Sequence, residues 1–518
     1  MGLWTRIKSA IFPSPSPRQQ VVQRRIRGTY DSARLGDEFA NYWANADRFD
    51  ADSANSKEVR HRLISHSRYE NANNPYADGI AQTYATDLIG GEGPKLRMRT
   101  GSKPFNQLVE RVFYQWTRDV QFRRKLWCLA HAKHTDGEAF AVIRRNPRVR
   151  HRVAIDLQLY EAEQVQTPYL PFAEPGYIDG IKCDEFGNPL WYDVLQHHPG
   201  AGNTLWFKEE PERVPADSML HWFKLRRPGQ HRAVPEIASS LNTGAAFRRM
   251  REAIIAAVET AADYSVLIKS AYSPERVAEV DPLEAFDIEK RMAVTLPEGW
   301  DAFQMKSEHP NSTYAEFHRT LINEQGRSKN MPYAKAACDS SRSNYASGRL
   351  DHQAYHANLD VDRQDCNDQV LDPLFEVWFS LAVGRYGWLG GDIGAISRGA
   401  FEHSWDWPMH VAVDVIADAK SKDIKLKSGQ VGLHQIYTQC GEDLEDEIPR
   451  IAETFGVDES ELRRRLFDIL YPPTKQEQPA ASKKPMADQY GEGSMNGAAV
   501  INRMNGAVNG ALNGARHG

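Results

Sequence analysis

The 518-residue sequence contains no GxxxxGK[ST] phosphate loop, so it is not itself an ATP-driven motor of the P-loop kind. It has no HExxH and no GxSxG, the short patterns of a zinc hydrolase and of a nucleophile elbow. Cysteine is sparse: Cys128, Cys183, Cys338, Cys366 and Cys440 lie far apart and never form a CxxC pair. That argues against a structural zinc and fits a reducing compartment. Long apolar runs are missing too. The most apolar stretch, 253–267, is broken by Glu259 and Asp263 and cannot span a membrane. The opening residues, MGLWTRIKSAIFPSPSPR, lack the apolar core of a signal peptide. The expectation is a soluble, cytoplasmic chain with no membrane partner, no metal and no cofactor.

Charge is plentiful but unevenly placed. The net charge is −5, yet residues 1–34 hold seven Lys/Arg against the single acid Asp31. Residues 97–152 hold 14 Lys/Arg against four acids, and residues 442–465 hold nine acids against four Arg. Such asymmetry points to a nucleic acid or to a charged partner subunit. The basic region could hold phosphates without sequence readout. It could equally pair with the acidic C-terminal region of another subunit. Its strand part (Arg144, Arg145, Arg148, Arg150, Arg152) is not interleaved with aromatics, so it is not a base-stacking surface.

The periodicity predicts an α+β chain. Pro13, Pro15 and Pro17 keep the basic arm irregular. Helical spacing runs from about 30 to 88, with Asn74-Pro75 reopening a helix that Gly90, Gly91 and Gly93 stop. One or two helices follow over 105–127. Period-two alternation then predicts strands over 137–145 and 153–160, a hairpin of 178–183 and 190–195 around DEFGNP, and an extended segment over 214–223. Pro235 suits the first turn of a helix running to about 263, with Ile237, Leu241, Met250, Ile254, Val258 and Ala261 as its apolar stripe. Residues 266–310 read as a mixed insert that includes a helical PLEAFDIEKR, and 312–326 returns to helix. A long helical region spans 350–383, and helices with glycine stops at Gly429, Gly441 and Gly456 follow. Asp458 and Glu461 make a capping-box-like start, Pro472-Pro473 ends the pattern, and a repetitive Asn-Gly-Ala tail is too poor in apolar bulk to fold.

No catalytic constellation emerges. His131, His134 and Asp136 lie where helix gives way to strand and read as structural. His403 and His410 flank SWDWPM without metal-ligand spacing. Ser340 and Ser341 stand beside Asp339 without a readable base or oxyanion element. A DNA-processing enzyme, such as a nuclease or terminase subunit, would need converging carboxylates for metal ions. The only candidates, Asp360, Asp362, Asp365, Asp368 and Asp372, are spaced so as to spread around a helix. The most telling segment is 331–351, MPYAKAACDSSRSNYASGRLD, where small residues, two tyrosines and the cations Lys335, Arg342 and Arg349 follow Arg327 and Lys329. It suits a backbone that approaches a large polyanion.

Three segments together resemble one family. YDSARL (30–35), NNPYA (73–77) and LIGGEG (88–93) form the first; VPADSMLHWFKLRRPGQHRAVP (214–235) is the second; CDSSRSNYASGRLD (338–351) is the third. They resemble the lambda-type tailed-phage portal proteins in order and spacing. Trp407-Pro408, Asp414, Ala417 and Gly429 also fit that family's C-terminal region. One departure is Ala233, where the family usually has glycine; a left-handed backbone there would be costly for alanine.

The resemblance implies a ring-forming subunit, typically one of about twelve, at the unique vertex of a phage head. Double-stranded DNA would be packaged and ejected through its channel, with non-specific contacts. Terminase, a head-completion or adaptor protein and the major capsid or scaffold protein would be further partners. The implied layout is a basic flexible arm (1–29), an α+β wing (30–234), a stem helix (235–265) and a clip (266–311). A second stem helix (312–330), a tunnel region (331–350), a helical return of the wing (351–400), a helical crown (401–472) and a disordered tail (473–518) complete it. Assembly would occur in the host cytoplasm, and no catalytic residue is expected. The DNA-channel residues so implied are Lys329, Lys335, Arg342, Asn344, Tyr345 and Arg349. A head protein that forms a ring without conducting DNA is the remaining alternative.

Overall fold

The computed structural model describes residues 43–44, 46–167, 176–201, 210–262, 266–270, 300–304, 311–342, 344–391, 401–410, 415–439 and 444–471. Two compact units divide the chain, residues 1–447 and 448–518. The expected basic arm, the PLEAFDIEKR helix, Gly441, Pro472-Pro473 and the Asn-Gly-Ala tail lie outside the described residues.

In the first unit, α1 (Lys57–Asn73) and α2 (Pro75–Ile89) are split by Asn74, whose side chain accepts the Tyr76 N–H at 3.1 Å. Pro75 then starts α2 where its missing N–H costs nothing, and Gly90 closes the helix at φ +74°. A strand, β1 (Lys95–Met98), leads to α3 (Lys103–Asp119) and α4 (Phe122–Asp136). The expected one or two helices are thus two, and the second runs nine residues beyond 127. His134 and Asp136, set at its C-terminus, are both buried.

The central strand is β2 (Glu138–Arg145), flanked by β3 (Ile155–Tyr160) and β8 (Met219–Phe223), all antiparallel. Its alternation serves two cores. Ala139, Ala141 and Ile143 face a large cluster built on α2, α3, α4 and the later helices, while Phe140 and Val142 join a second cluster. That second cluster is closed by the meander β4 (Tyr177–Ile178), β5 (Ile181–Cys183), β6 (Pro189–Val194) and β7 (Glu212–Pro215). A strand buried on both faces reads as a nearly continuous apolar run, which EAFAVI is. The hairpin around DEFGNP is present, with a bulge at Lys182/Cys183.

Helix α5 (Leu241–Ala262) begins six residues after Pro235, later than expected. The intervening residues turn because the Glu236 N–H donates to the His134 carbonyl at 3.2 Å and its carboxylate is drawn into a buried ion cluster. The antiparallel strands β9 (Val266–Ser270) and β10 (Trp300–Gln304) pair between α5 and α6 (Asn311–Arg327). After a one-turn helix at Tyr333–Ala336 comes α7 (Tyr345–Cys366), which passes through a π-turn, Asn367–Leu371, into α8 (Asp372–Tyr386). Pro373, which lacks an N–H and crowds the preceding turn, accounts for the widened ladder. Strand β11 (His403–Asp406) returns to pair with β1. Helices α9 (Val415–Lys427) and α10 (Leu433–Gln439) follow.

Helix α11 spans Leu444–Phe455, and α12 (Glu459–Leu470) lies wholly in the second unit. Asp458 accepts the Ser460 N–H at 3.0 Å and so caps α12. Gly429 and Gly456 adopt φ of +72° and +62°, as their expected stop positions require. The architecture is α+β, as the periodicity implies.

Candidate nucleic-acid interface and its buried anchors

Two buried charge clusters hold the functional segments, and neither was anticipated from the sequence. In the first, Lys133 from α4 places Nζ 2.8 Å from Glu236 Oε1 and 3.5 Å from Asp362 Oδ1. Lys329, just past α6, pairs with Glu236, lies 3.6 Å from Asp362 Oδ2 and sits over the Tyr84 ring. Lys224 reaches Asp362 Oδ1 at 2.9 Å, and the Tyr84 hydroxyl donates to Asp362 Oδ2 at 2.9 Å. Burial alone would raise the Asp362 carboxyl, but Lys329, Lys133 and Lys224 together hold it below the usual range. Burial, then the neighbouring Lys133, pushes the Lys329 ammonium well down.

The second cluster explains the motif RRPGQHRAVP. Arg232 is 1% exposed and sets Nη2 2.6 Å from Glu138 Oε1 while donating to the carbonyls of Val165 (2.9 Å) and Ala162 (3.1 Å). Gln230 accepts the Arg226 N–H at 2.9 Å and donates to the Arg232 carbonyl at 3.0 Å. The His231 N–H donates to Asp52 at 2.9 Å. Ala233, whose backbone is not left-handed, gives its N–H to Glu138 Oε2 at 3.2 Å. The residue of this turn with positive φ is Gly229, at +73°. Alanine at 233 is therefore unstrained, and the departure from the family pattern is harmless.

The six residues expected at DNA occupy different environments. Lys329 is 2% exposed, and its charge is spent inside the first cluster. Lys335 is half-buried, 2.6 Å from Asp87 Oδ2 and 5.3 Å from the Tyr355 ring centroid. Asn344 is exposed and caps α7, its Oδ1 accepting the Ser347 N–H at 2.8 Å. Arg342 and Arg349 are exposed. Tyr345 begins α7, and its side chain lies outside the described residues. Asp339 Oδ1 accepts the Ser341 N–H at 2.9 Å, a local turn that occupies the carboxylate.

Other candidates from the sequence have structural partners. His131 stacks on Trp127, and Asp136 receives Arg68 through two hydrogen bonds of 2.9 and 2.8 Å. The acidic run of α7 and α8 disperses: Asp360 meets His410, Asp362 lies in the first cluster, and Asp372 accepts from Trp405. Among the described residues, Glu161, Glu163 and His198 have ligand atoms within 4.8 Å of one another and could hold a cation. Arg68 already bridges the two carboxylates at 2.9 and 2.8 Å. No described helix is long and apolar enough to cross a membrane.

What these anchors define is a structural subunit: its buried charges fasten segments of chain to one another, and its exposed cations border a turn of small residues. The sequence belongs to the lambda family of phage portal proteins, whose model matches residues 40–363. It is accordingly a portal protein of the tailed-phage head-tail connector, as the three segments implied. The probable portal protein of Halomonas phage phiHAP-1 is 23% identical over 485 residues, which cover 85% of this chain and 90% of that one. A chain in the neck of an empty gene transfer agent (GTA) particle, computed with C6 symmetry, aligns with TM-score 0.41 and 13% identity, covering 73% of this chain and 93% of its own. A chain in the virion of the native GTA particle aligns with TM-score 0.39 and 15% identity over the same shares.

Proposed function

We propose that this portal subunit assembles into a closed ring, of about twelve copies, at the unique vertex of the head. Double-stranded DNA enters and leaves through its channel, moved by a separate terminase. The observation that carries this reading is membership of the portal family together with the character of residues 331–349. There Arg342 precedes the Asn344 cap of α7 and Arg349 lies near the start of that helix, all three exposed, while the same segment is fastened from behind by Lys335 to Asp87. A conduit needs contacts that are weak and indifferent to sequence, and isolated exposed cations meet that need better than a continuous basic groove. The assignments of wing (30–234, with 351–400), stem (235–265 and 312–330), clip (266–311) and crown (401–472) belong to the same proposal. So do the docking of terminase and a head-completion protein on the clip and contact with the capsid or scaffold.

The subunit does no chemistry in this reading. The α7–α8 aspartates favour it over a nuclease, because four of the five are engaged by separate partners and do not converge. Negative-stain microscopy of the purified protein tests the proposal. Rings with a central hole support it, and a compact monomer with metal-dependent nuclease activity would overturn it.

A further inference from the structure

Five of the fourteen cations of the basic stretch 97–152 pair with acids, Lys133 in the first cluster among them. Arg97 pairs with Asp406, Lys103 with Glu445, Lys125 with Asp156, and Arg144 holds Glu212 through hydrogen bonds of 2.8 and 2.7 Å. Of the others, Arg111, Arg118, Arg123 and Arg124 are exposed along α3 and α4, and three stand close together in the turn between β2 and β3. Arg145, Arg148 and Arg150 are exposed there, and among the described residues none has an acidic partner.

The turn is rigid, and its stiffness comes from residues other than those three. The Asn146 N–H donates to the Ala154 carbonyl at 2.9 Å, and Asn146 Oδ1 accepts the Arg148 N–H at 3.0 Å. Val153 is buried beneath it. Arg152 lies 5.2 Å from the Tyr386 ring centroid, and the Tyr386 hydroxyl is 3.4 Å from His151 Nε2. Asp156, the acid that could reach back, is occupied by Lys125 and by Asn146 Nδ2 at 3.0 Å. Asp119, on α3, acts on His151.

Three guanidinium groups within six residues repel one another, and like charges held close without counter-charge destabilise a fold. A chain of net charge −5 has acids available, yet this turn leaves its arginines outward and pre-positioned. That arrangement suits an external polyanion. Guanidinium forks match phosphate oxygens in pairs. The one aromatic at the turn, Tyr386, is covered by Arg152, so base stacking is not offered. The acid-rich stretch 442–465 of a second copy is a poorer match, because three of its nine acids are engaged at home: Glu445 with Lys103, Glu461 with Arg464 and Arg465, and Asp458 as a helix cap.

We propose that the β2–β3 turn binds the phosphate backbone of duplex DNA through Arg145, Arg148 and Arg150, without reading sequence. This contact is distinct from the 331–349 segment and does not require the channel reading to be right.

The test is binding of short fluorescent duplexes of unrelated sequence to the full-length protein across a salt series. Three forms are compared: wild type, the triple variant R145A/R148A/R150A and the triple variant R145K/R148K/R150K. The alanine variant should bind roughly tenfold or more weakly near 0.1 M salt, with the log–log salt slope reduced by about two to three, one unit per lost phosphate contact. The lysine variant should keep most of the slope, and both duplexes should behave alike. An alanine variant with unchanged affinity and slope would overturn the proposal. So would loss of self-association in that variant with DNA binding intact, which would make the turn a contact between copies. A parallel R342A/R349A variant separates the two readings: a defect confined to it leaves the channel standing and removes this site, whereas a defect confined to the turn variant does the reverse.

Discussion

Lys133 Nζ lies 2.8 Å from Glu236 Oε1 with both side chains almost fully buried, joining the end of α4 to the residue just after Pro235. Around that pair, three lysines (133, 224 and 329) share two carboxylates, Glu236 and Asp362. The cluster is short of negative charge, so its members are not equally replaceable. Asp362→Asn leaves three buried or half-buried ammonium groups to one carboxylate and should cost about 3–5 kcal/mol. Lys329→Met removes the surplus cation and should cost less than half as much, because Glu236 and Asp362 keep Lys133 and Lys224. Urea unfolding of both variants checks the order, and an equal loss in the two would contradict the charge account.

The buried titratable groups also set a direction for pH. His134 is fully buried with neither ring nitrogen hydrogen-bonded, and burial, then Lys329, holds it well below its ordinary 6.5. His221 is lowered as well, by burial that the adjacent Glu138 only partly offsets. The folded chain takes up these protons less readily than the unfolded one, so stability declines as pH falls below about 6.5. Asp362 and Glu138 add a second decline. Burial would raise both, but the lysines around Asp362 and the arginine beside Glu138 outweigh it and hold both low. Their stabilisation is fully present above the unfolded values of 3.8 and 4.5 and is lost as pH falls through and below them. Melting temperatures measured from about pH 8 to pH 3 should therefore drop in two stages. His134→Leu should shrink the first stage and leave the second; a flat profile down to about pH 5 would refute the assignment.

Gly137 joins α4 to β2 at φ +91°, and a methyl group there would overlap the Val234 carbonyl. It would also lie 2.7 Å from the Pro235 nitrogen. Backbone on one side and a left-handed conformation on the other leave no cheap relaxation. Gly137→Ala should destabilise by more than about 3 kcal/mol and yield mostly insoluble protein. Gly79, with open space around it, is the control: Gly79→Ala in mid-helix should be neutral or slightly stabilising. Soluble yield and melting temperature of the two variants make the comparison.

These anchors show where sequence reading succeeds. Asn74-Pro75 and Gly90 act through their own backbone chemistry, so their helix boundaries were legible locally. The start of α5 was not, because Pro235 is a good first-turn residue by itself. The helix is delayed by what Glu236 finds in space: the His134 carbonyl and the ammonium groups of Lys133 and Lys329. Lys329 was misleading for the same reason. In sequence it is a cation just before a tunnel-like segment, and only the fold brings it to Glu236, 93 residues earlier. The role of RRPGQHRAVP as a fastener of buried arginine and glutamine was likewise hidden, since its partner Glu138 lies far away in the chain.

The exposed arginines of the 331–349 segment carry the last prediction. Arg342 and Arg349 have no structural duty comparable to that of Lys329, so reversing their charge should leave the fold intact. If DNA passes this turn, Arg342→Glu with Arg349→Glu places two anions against the phosphate backbone, which repels where the arginines attracted. Heads assembled with this variant should contain normal amounts of the subunit and retain its melting temperature. Packaged DNA per head should fall several-fold, and the defect should ease at higher ionic strength as screening grows. Lys335→Met should behave differently, because its pairing with Asp87 and its place against Tyr355 make it a brace of the segment. Its loss should lower stability by about 1 kcal/mol, a half-buried pair's worth, without a salt-sensitive packaging defect. Full packaging by the double glutamate variant would place the DNA path elsewhere.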